Sequence, residues 1–223
     1  MTKELFVSAM AKFFLGLALV ALLLFLPAGT LRYWNGWLLI ALLFAPMFAA
    51  GLVMMVKAPE LLKKRLNAKE KEMEQKQVVA LSGLMFLAAF VLAGLNFRFG
   101  WITMPRWLVW AAAAVFLLAY ALYAEVLREN AYLSRTIEVQ EGQKVVDTGL
   151  YGFVRHPMYA ATLFLFLSMP LVLGSPISFL ITLLYIPIIV KRIRNEEAVL
   201  KDGLEGYAEY MTRVKYRLVP GIW

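Results

Sequence analysis

The sequence has no cysteine and only one histidine, His156, among its 223 residues. Without cysteine there can be no disulfide, thiolate metal site or cysteine nucleophile, and one histidine cannot form a multi-histidine zinc or haem site. There is also no G-x-G motif, no G-x-x-x-x-G-K-[ST] phosphate loop and no G-x-S-x-G nucleophile elbow. These absences argue against Rossmann-type dinucleotide enzymes, P-loop nucleotide hydrolases and elbow-type serine hydrolases.

Charged residues are scarce as well: they make up 17% of the chain, whereas 62% is hydrophobic and the mean hydropathy is +0.70. A soluble domain is about 45–50% apolar, and one of this size could not bury so much apolar surface. The sequence therefore indicates an integral membrane protein. We attribute the net charge of +8 to anionic lipid headgroups and membrane orientation rather than to nucleic acid, and we expect neither a nucleic-acid partner nor a metal.

We predict an all-α integral membrane protein with five or six transmembrane helices, because a span needs about 20 mostly apolar residues. The candidate spans are residues 8–26, 37–56, 78–95, 107–124, 157–173 and 177–190. The last is short and contains Pro187, and it follows the break Gly174-Ser175-Pro176. We therefore interpret the last two segments as a helical hairpin. The predicted organisation is a four-span region over residues 1–127, followed by a core over residues 128–223 that contains the hairpin and a C-terminal tail as one structural unit.

The basic residues predict how the chain is oriented. With six spans, the N-terminus and three other segments share one side of the membrane, and every Lys and Arg except Arg32, Arg98 and Arg106 lies there. By the positive-inside rule we expect this side to be cytoplasmic. Five tryptophans near the opposite interface are typical of an aromatic belt; they are Trp34, Trp37, Trp101, Trp107 and Trp110. With five spans, the assignment of the termini would change.

Three segments on the charge-rich side must build any site. Residues 57–77 form a charged connector, in which Pro59 suits a first helical turn. Within 128–155, Gly142 and Gly149 bracket a short extended piece, which predicts a turn-strand-turn. The tail from residue 191 has a helical pattern through Tyr210.

The first polar cluster is Arg155-His156-Pro157-Met158-Tyr159. Pro157 predicts a helix start, with His156 near the N-cap at the membrane boundary. The free N–H groups of that helix end, together with Arg155 and His156, suit an anion. The alternative is that Arg155 reaches lipid headgroups and His156 only caps the helix.

The second polar cluster, residues 191–197, lies where the last apolar segment ends. Arg192 and Glu196 are four residues apart and share a helix face. The functional interpretation is a carboxylate and a guanidinium held near a cofactor at the interface. The alternative is a surface ion pair, which contributes little to stability.

Taken together and in this order, the two clusters resemble a known family. From residue 145 to 223 the chain resembles the isoprenylcysteine carboxyl methyltransferases and the related phospholipid N-methyltransferases. The resemblance is carried by G-L-Y-x-x-x-R-H-P-x-Y over 149–159, a hydrophobic hairpin, and Arg192-x-x-x-Glu196-Glu197-x-x-Leu200. It continues in Tyr207-x-Glu209-Tyr210 and Pro220. The first four spans are similar to the family only in being apolar membrane-spanning segments.

This resemblance implies an integral membrane methyltransferase that uses S-adenosyl-L-methionine. The cofactor pocket would differ from that of a Rossmann fold. It would lie on the cytoplasmic face and be built from the loop before the hairpin and from the C-terminal tail. Arg192 would face the reacting group of the acceptor, and Glu196 would be catalytic and contact the cofactor. The remaining residues implied to bind the cofactor are Gln143, Lys144, Val145, Val146, Tyr151, Arg155, His156, Pro157, Met158, Tyr159 and Glu197. The stretch from Gln143 to Val146 departs from the family's usual residues.

The expected reaction is methylation of a lipid-like or isoprenylated acceptor from the bilayer, with a carboxylate acceptor suiting the planar fork of Arg192. An amine acceptor, as in phospholipid N-methylation, would need Glu196 or Glu197 as a base. A third possibility is an NADPH-dependent reductase of the sterol-reductase type, since those membrane enzymes share an R-H-P-x-Y-like element. A membrane protein that keeps the fold without enzymatic activity is the fourth.

Overall fold

The computed structural model describes residues 3–66, 73–133 and 137–223. Within them every regular element is helical, and most of the helices are long and apolar. The helices are α1 (Lys3–Ala28), α2 (Trp34–Lys57), α3 (Pro59–Leu66), α4 (Met73–Phe99), α5 (Arg106–Glu129), α6 (Pro157–Val172), α7 (Pro176–Thr182), α8 (Tyr185–Gly203) and α9 (Tyr207–Arg213), with a 3-10 turn at Gly149–Gly152.

The described helices provide five segments long and apolar enough to cross a membrane: α1, α2, most of α4, α5, and the nearly continuous Pro176–Gly203. The prediction of a multi-pass helical membrane protein is confirmed. Helix α6 is also apolar but has 16 residues, so at about 1.5 Å per residue it is shorter than a bilayer core of about 30 Å. It still joins the two ends of the bundle, because it begins beside Arg65 and ends against Tyr33 and Asn35, so the assignment of the termini expected for six spans is kept. The segment expected at 177–190 is longer than predicted, because α8 continues through the charged residues to Gly203.

The core lies where α1, α2, α4, α5 and α6 meet, around fully buried side chains such as Leu24, Phe116 and Val172. Most large side chains on the outer faces of these helices are apolar and exposed, as a lipid-facing surface requires. The five tryptophans of the predicted belt, one of them in the loop between α4 and α5, are exposed as well, with exposed fractions from 39% to 70%. Helices that are apolar on their outer as well as their inner faces are stable in a bilayer, where no water contacts the outer faces.

The hairpin turn is stabilised by buried polar contacts at the tryptophan end of the bundle. The Tyr33 hydroxyl donates to the Leu173 carbonyl at 2.6 Å, and the Asn35 amide donates to the Val172 carbonyl at 2.8 Å. These bonds satisfy carbonyls at the end of α6 that have no helical partner. Gly174 adopts φ +70°, and the Ser175 side chain caps α7 by accepting from the backbone N–H of Ser178. The predicted break between the two helices is therefore confirmed.

At the opposite end, the short helix α3 turns back against the bundle. Lys12 of α1 donates to the Leu66 carbonyl at 2.7 Å. The Arg65 guanidinium lies 5.4 Å from the centre of the Tyr123 ring and approaches Met158 at the start of α6. Pro59 begins α3 as predicted, whereas residues 67–72 of the charged connector lie outside the described residues. The start of α6, the end of α5 and α3 thus meet on the side of the bundle rich in charge.

Two local predictions were wrong. Residues 143–147 do not form a strand, since no strand among the described residues is available to pair with them; instead, Val145 packs against the buried residues of α9. The tail is not one helix through Tyr210, because the chain leaves α8 after Gly203 and restarts at Tyr207. Gly206, with φ +79°, makes the corner between them.

Candidate cofactor site

A cavity lies at the charge-rich end of the bundle, between the end of α5, the start of α6, the second half of α8 and α9. It contains about 820 Å³ of space between protein atoms, part of which is open to solvent. Its walls are Asn130, Tyr132, Leu133, Ile137, Glu138, Gln143, Lys144, Val145, Val146, Tyr151, Arg155, His156, Met158, Tyr159, Arg192, Glu196, Leu200, Leu204, Tyr207 and Tyr210.

The structure brings almost all of the residues implied by the resemblance to this one cavity. Gln143 to Val146, Tyr151, the R-H-P-x-Y segment, Arg192 and Glu196 come from four separate stretches of sequence and line the same space. Pro157 and Glu197 are the exceptions, since neither is on the cavity wall.

His156 occupies the N-cap position of α6 and Pro157 the first helical turn, as the sequence predicts. The His156 side chain makes no capping hydrogen bond. It is buried, and its Nε2 lies 3.3 Å from Oε1 of Glu197. The interpretation that this side chain only caps the helix was therefore wrong. Its imidazole lies between the cavity and a buried carboxylate.

Glu197 is the centre of a buried charge cluster behind the cavity. Its Oε1 accepts from Nε of Arg155 at 2.7 Å, and its Oε2 accepts from Nε of Arg217 at 2.8 Å. The Glu197 and Arg155 side chains are 6% and 4% exposed. A buried carboxylate is tolerated when charged hydrogen-bond donors surround it, as they do here. Glu197 therefore holds protein elements together behind the cavity and does not line its wall.

The tail after α9 is docked onto the start of α6 through backbone hydrogen bonds. The N–H groups of Arg155 and His156 donate to the carbonyls of Tyr216 and Arg217, each at 2.9 Å. The Arg155 guanidinium also donates to the carbonyls of Val214 and Lys215, at 2.6 and 2.9 Å. Arg155 is thus fixed by a carboxylate and two carbonyls, rather than extending to lipid headgroups.

Tyr159 links the two candidate catalytic residues. Its buried hydroxyl donates to Oε2 of Glu196 and accepts from Nε of Arg192 at 3.0 Å. Arg192 and Glu196 lie on one face of α8, as predicted, and that face points into the cavity. A cation, a phenol and a carboxylate are therefore connected in one hydrogen-bonded row along the wall, which differs from the solvent-exposed ion pair considered as the alternative.

Two tyrosines fix the 3-10 turn that closes the cavity below α5. The Tyr151 hydroxyl accepts from the Asn130 amide at 3.0 Å, and the Tyr210 hydroxyl donates to the Tyr151 carbonyl at 2.7 Å. The Glu129 carboxylate accepts from the backbone N–H of Leu150 at 3.0 Å. Burial raises the pKa of both tyrosines, so the two phenols stay protonated at neutral pH.

The remaining wall comes from the irregular segment that follows α5. The Tyr132 hydroxyl donates to the Gly142 carbonyl at 3.0 Å, and the Gln143 side-chain oxygen accepts from the N–H of Gln140 at 2.9 Å. Residues 134–136 of this segment lie outside the described residues. The Gln143 oxygen is thus used to shape the loop.

Sequence reasoning missed nine residues of the wall. Asn130, Tyr132, Leu133, Ile137 and Glu138 carry no recognisable motif, and only the fold brings them to the cavity. Leu200 and Leu204 continue the apolar side of α8 beyond the charged cluster. Tyr207 and Tyr210 belong to the Tyr207-x-Glu209-Tyr210 motif of the resemblance, which implies no role for either residue. The hydroxyl of Tyr207 is buried and has no hydrogen-bond partner among the described residues.

Residues 110–202 match the model of the isoprenylcysteine carboxyl methyltransferase family. The resemblance inferred from the motifs is confirmed, and the match contains both polar clusters. The chain is also similar to two sterol reductases: Delta(14)-sterol reductase TM7SF2 of Mus musculus is 31% identical over 91 residues, which are 40% of this chain and 22% of that protein. Delta(14)-sterol reductase of Methylotuvimicrobium alcaliphilum is 24% identical over 135 residues, 54% of this chain and 32% of that protein. The chain therefore spans between about a fifth and a third of the length of these relatives.

Proposed function

We propose that the protein is an S-adenosyl-L-methionine-dependent membrane methyltransferase that methylates the carboxylate of a lipid-like or isoprenylated acceptor. The observation that supports this most is that both motifs of the matched region surround one cavity at the end of a lipid-exposed helical bundle. An acceptor with a long apolar chain can reach such a site from the bilayer. The distribution of basic residues supports a cytoplasmic position of the site.

The charged and aromatic side chains of the cavity suit this cofactor. When bound, S-adenosylmethionine supplies a methyl group on a positively charged sulfur, and its transfer requires donor and acceptor to be held in line. Glu196 provides the negative charge that suits a neighbouring sulfonium, and the faces of Tyr151 and Tyr159 suit a cation as well. The N-terminal end of α6, beside which Arg155 and His156 line the cavity, suits the carboxylate of the methionyl group.

Arg192 is proposed to hold the acceptor carboxylate. Its Nε is engaged by the Tyr159 hydroxyl, which fixes the plane of the guanidinium. A planar, fixed guanidinium binds a carboxylate with defined geometry, as an ammonium cannot. Positioning of this kind can contribute about 7–11 kcal/mol to a bimolecular reaction in well-oriented cases.

Methylation of a phospholipid amine is supported less well by the same contacts. An amine acceptor needs a base in the cavity, and the Glu197 carboxylate lies behind the cavity wall, where Arg155, His156 and Arg217 already contact it. Glu196 is the other carboxylate of the pair, and it accepts from the Tyr159 hydroxyl. Both sequence candidates for a base are therefore already hydrogen-bonded.

The second candidate function is that of an NADPH-dependent reductase of the sterol-reductase type, and the similarity to the two Delta(14)-sterol reductases favours it. Binding distinguishes it from the methyltransferase. Isothermal titration of the full chain in detergent with S-adenosylhomocysteine and with NADPH is expected to give binding of S-adenosylhomocysteine alone. Binding of NADPH alone would favour the reductase, and binding of neither would contradict both.

A further inference from the structure

Tyr207 carries a polar atom that the protein itself does not use. The side chain is 4% exposed and lines the cavity, and its hydroxyl has no hydrogen-bond partner among the described residues. Tyr210, one turn further along α9, uses its hydroxyl to hold the Tyr151 carbonyl. A buried phenol without a partner lowers stability unless a ligand supplies one. Tyr207 is therefore available to a bound molecule.

The surroundings of Tyr207 indicate which part of a ligand lies there. The ring packs in a cluster with Leu204, Val214, Val145 and Leu200 and is 5.7 Å from the ring of Tyr210. The charged side chains of the cavity belong to the start of α6, the middle of α8 and the loop that carries Glu138 and Lys144. The wall at α9 is itself apolar and aromatic, with two hydroxyls, of which that of Tyr210 is already bound to the Tyr151 carbonyl. A flat, uncharged heteroaromatic ring with acceptor nitrogens matches that wall.

We propose that the Tyr207 hydroxyl donates a hydrogen bond to a ring nitrogen of the adenine base of the bound cofactor. Adenine has acceptor nitrogens in a flat, neutral ring, whereas the charged parts of the cofactor suit the charged side chains of α6 and α8. Burial raises the pKa of Tyr207, so its proton is retained and the hydroxyl stays a donor. The inference rests on the proposed function only in requiring an adenosine cofactor, because S-adenosylmethionine and NADPH both carry adenosine.

The test is the affinity of wild-type protein and of Tyr207→Phe for S-adenosylhomocysteine and for NADPH, by titration of the full chain in detergent. Tyr207→Phe removes only the unpaired hydroxyl, so the unfolding temperature of the ligand-free protein should be unchanged or higher. Affinity for the cofactor that the wild type binds should fall about 3- to 10-fold, the equivalent of one hydrogen bond. Tyr210→Phe is the matched control, since it removes a paired hydroxyl in the same wall and should lower the unfolding temperature.

Deaza analogues of S-adenosylhomocysteine, with one adenine nitrogen replaced by C–H, identify the accepting atom. One of the 1-, 3- and 7-deaza compounds should bind equally to wild type and Tyr207→Phe, because the contact is already lost. Equal affinity of the two proteins for the unmodified cofactor, or a difference that persists with all three analogues, would overturn the inference.

The failure of this inference is distinguishable from that of the proposed function. If the wild type binds S-adenosylhomocysteine and the variant binds it equally well, only the role of Tyr207 is wrong. If the wild type binds NADPH instead, the methyltransferase proposal fails, and the comparison with NADPH still tests Tyr207. Binding of neither compound by the wild type would contradict both.

Discussion

Glu196 and Glu197 are neighbours in the sequence, yet their carboxylates have different partners. Glu196 lines the cavity and accepts from Tyr159, while Glu197 is buried among Arg155, His156 and Arg217. One residue along a helix is a rotation of about 100°, which is enough to direct one side chain into the site and the other behind it. The pair allows function and folding to be tested separately.

We predict opposite consequences for the two Glu→Gln substitutions. Glu197→Gln removes the charge that compensates Arg155 in a buried site, and losing one partner of such a pair costs about 3–5 kcal/mol. Glu196→Gln keeps the shape of a half-buried side chain and should change stability by less than about 1 kcal/mol. Unfolding temperatures of the purified variants measure this difference. Equal losses in both variants would contradict the distinct roles of the two carboxylates.

The row formed by Arg192, Tyr159 and Glu196 predicts a division of functions in binding and turnover. Glu196→Gln should mainly weaken binding of S-adenosylmethionine, because it removes negative charge beside the sulfonium, and should affect S-adenosylhomocysteine, which has no sulfonium, much less. Arg192→Lys should leave that affinity near wild type and lower turnover, because it keeps the charge and loses the planar fork. Titration and steady-state kinetics separate the two effects. Near-normal turnover in both variants would exclude a catalytic role for this face of α8.

Substitution of His156 should lower the affinity for the cofactor more than the stability of the protein, if His156 contacts the cofactor's carboxylate. His156→Ala removes a hydrogen-bonding group beside that carboxylate, and a bond to a charged group contributes about 1.5–3 kcal/mol. S-adenosylhomocysteine should then bind about 10- to 150-fold more weakly. The unfolding temperature is the control, since Arg155 and Arg217 still surround Glu197. Unchanged affinity in the folded variant would leave His156 a structural partner of Glu197.

At the scale of elements, the corner between α8 and α9 sets the position of the tyrosine wall. Gly206 has φ +79°, and a Cβ there would approach only Val145, at 4.0 Å. The obstacle to another residue is therefore the left-handed backbone, which costs a non-glycine residue about 1–2 kcal/mol. Because α9 carries Tyr207 and Tyr210, an altered corner should change the cavity as well as the stability.

We predict that Gly206→Ala lowers the free energy of unfolding by about 1–2 kcal/mol and weakens cofactor binding. Gly83→Ala is the matched control, because Gly83 lies in helix α4 and a Cβ there meets nothing within 4 Å. Alanine in a helix interior is favoured over glycine by about 0.5–1 kcal/mol. Thermal unfolding and cofactor titration compare the two variants, and a Gly206→Ala protein with wild-type stability and affinity would contradict the role of this corner.

The elements also show what sequence could and could not predict. Apolar runs located the membrane helices, and Gly174-Ser175-Pro176 located the hairpin turn, because glycine and proline restrict the backbone locally. The wall residues Leu133 and Ile137 could not be found this way, since only tertiary packing brings them to the cavity. The separate roles of Glu196 and Glu197 likewise depend on tertiary contacts. Tyr159 of α6 contacts Glu196, whereas Arg155 and Arg217 contact Glu197.

For the whole molecule, the charge-rich ends of the helices lie together with the cavity, while the five tryptophans of the predicted belt lie at the other end. We predict that the cavity and the tail face the cytoplasm. Added protease should cleave the tail in inverted membrane vesicles and leave it intact in right-side-out vesicles. Cleavage in right-side-out vesicles alone would contradict the predicted orientation and the access of a cytosolic cofactor.

The central claim is that the cavity supports methyl transfer to an acceptor from the membrane. The most direct measurement is incorporation of a labelled methyl group from S-adenosylmethionine by the purified full chain, with prenylcysteine analogues and extracted membrane lipids offered as acceptors. We predict label in a prenylcysteine or other carboxylate-bearing lipid as a base-labile methyl ester, and strongly reduced label with Arg192→Lys. Absence of label from every acceptor, together with NADPH-dependent reduction of a sterol substrate, would contradict the account.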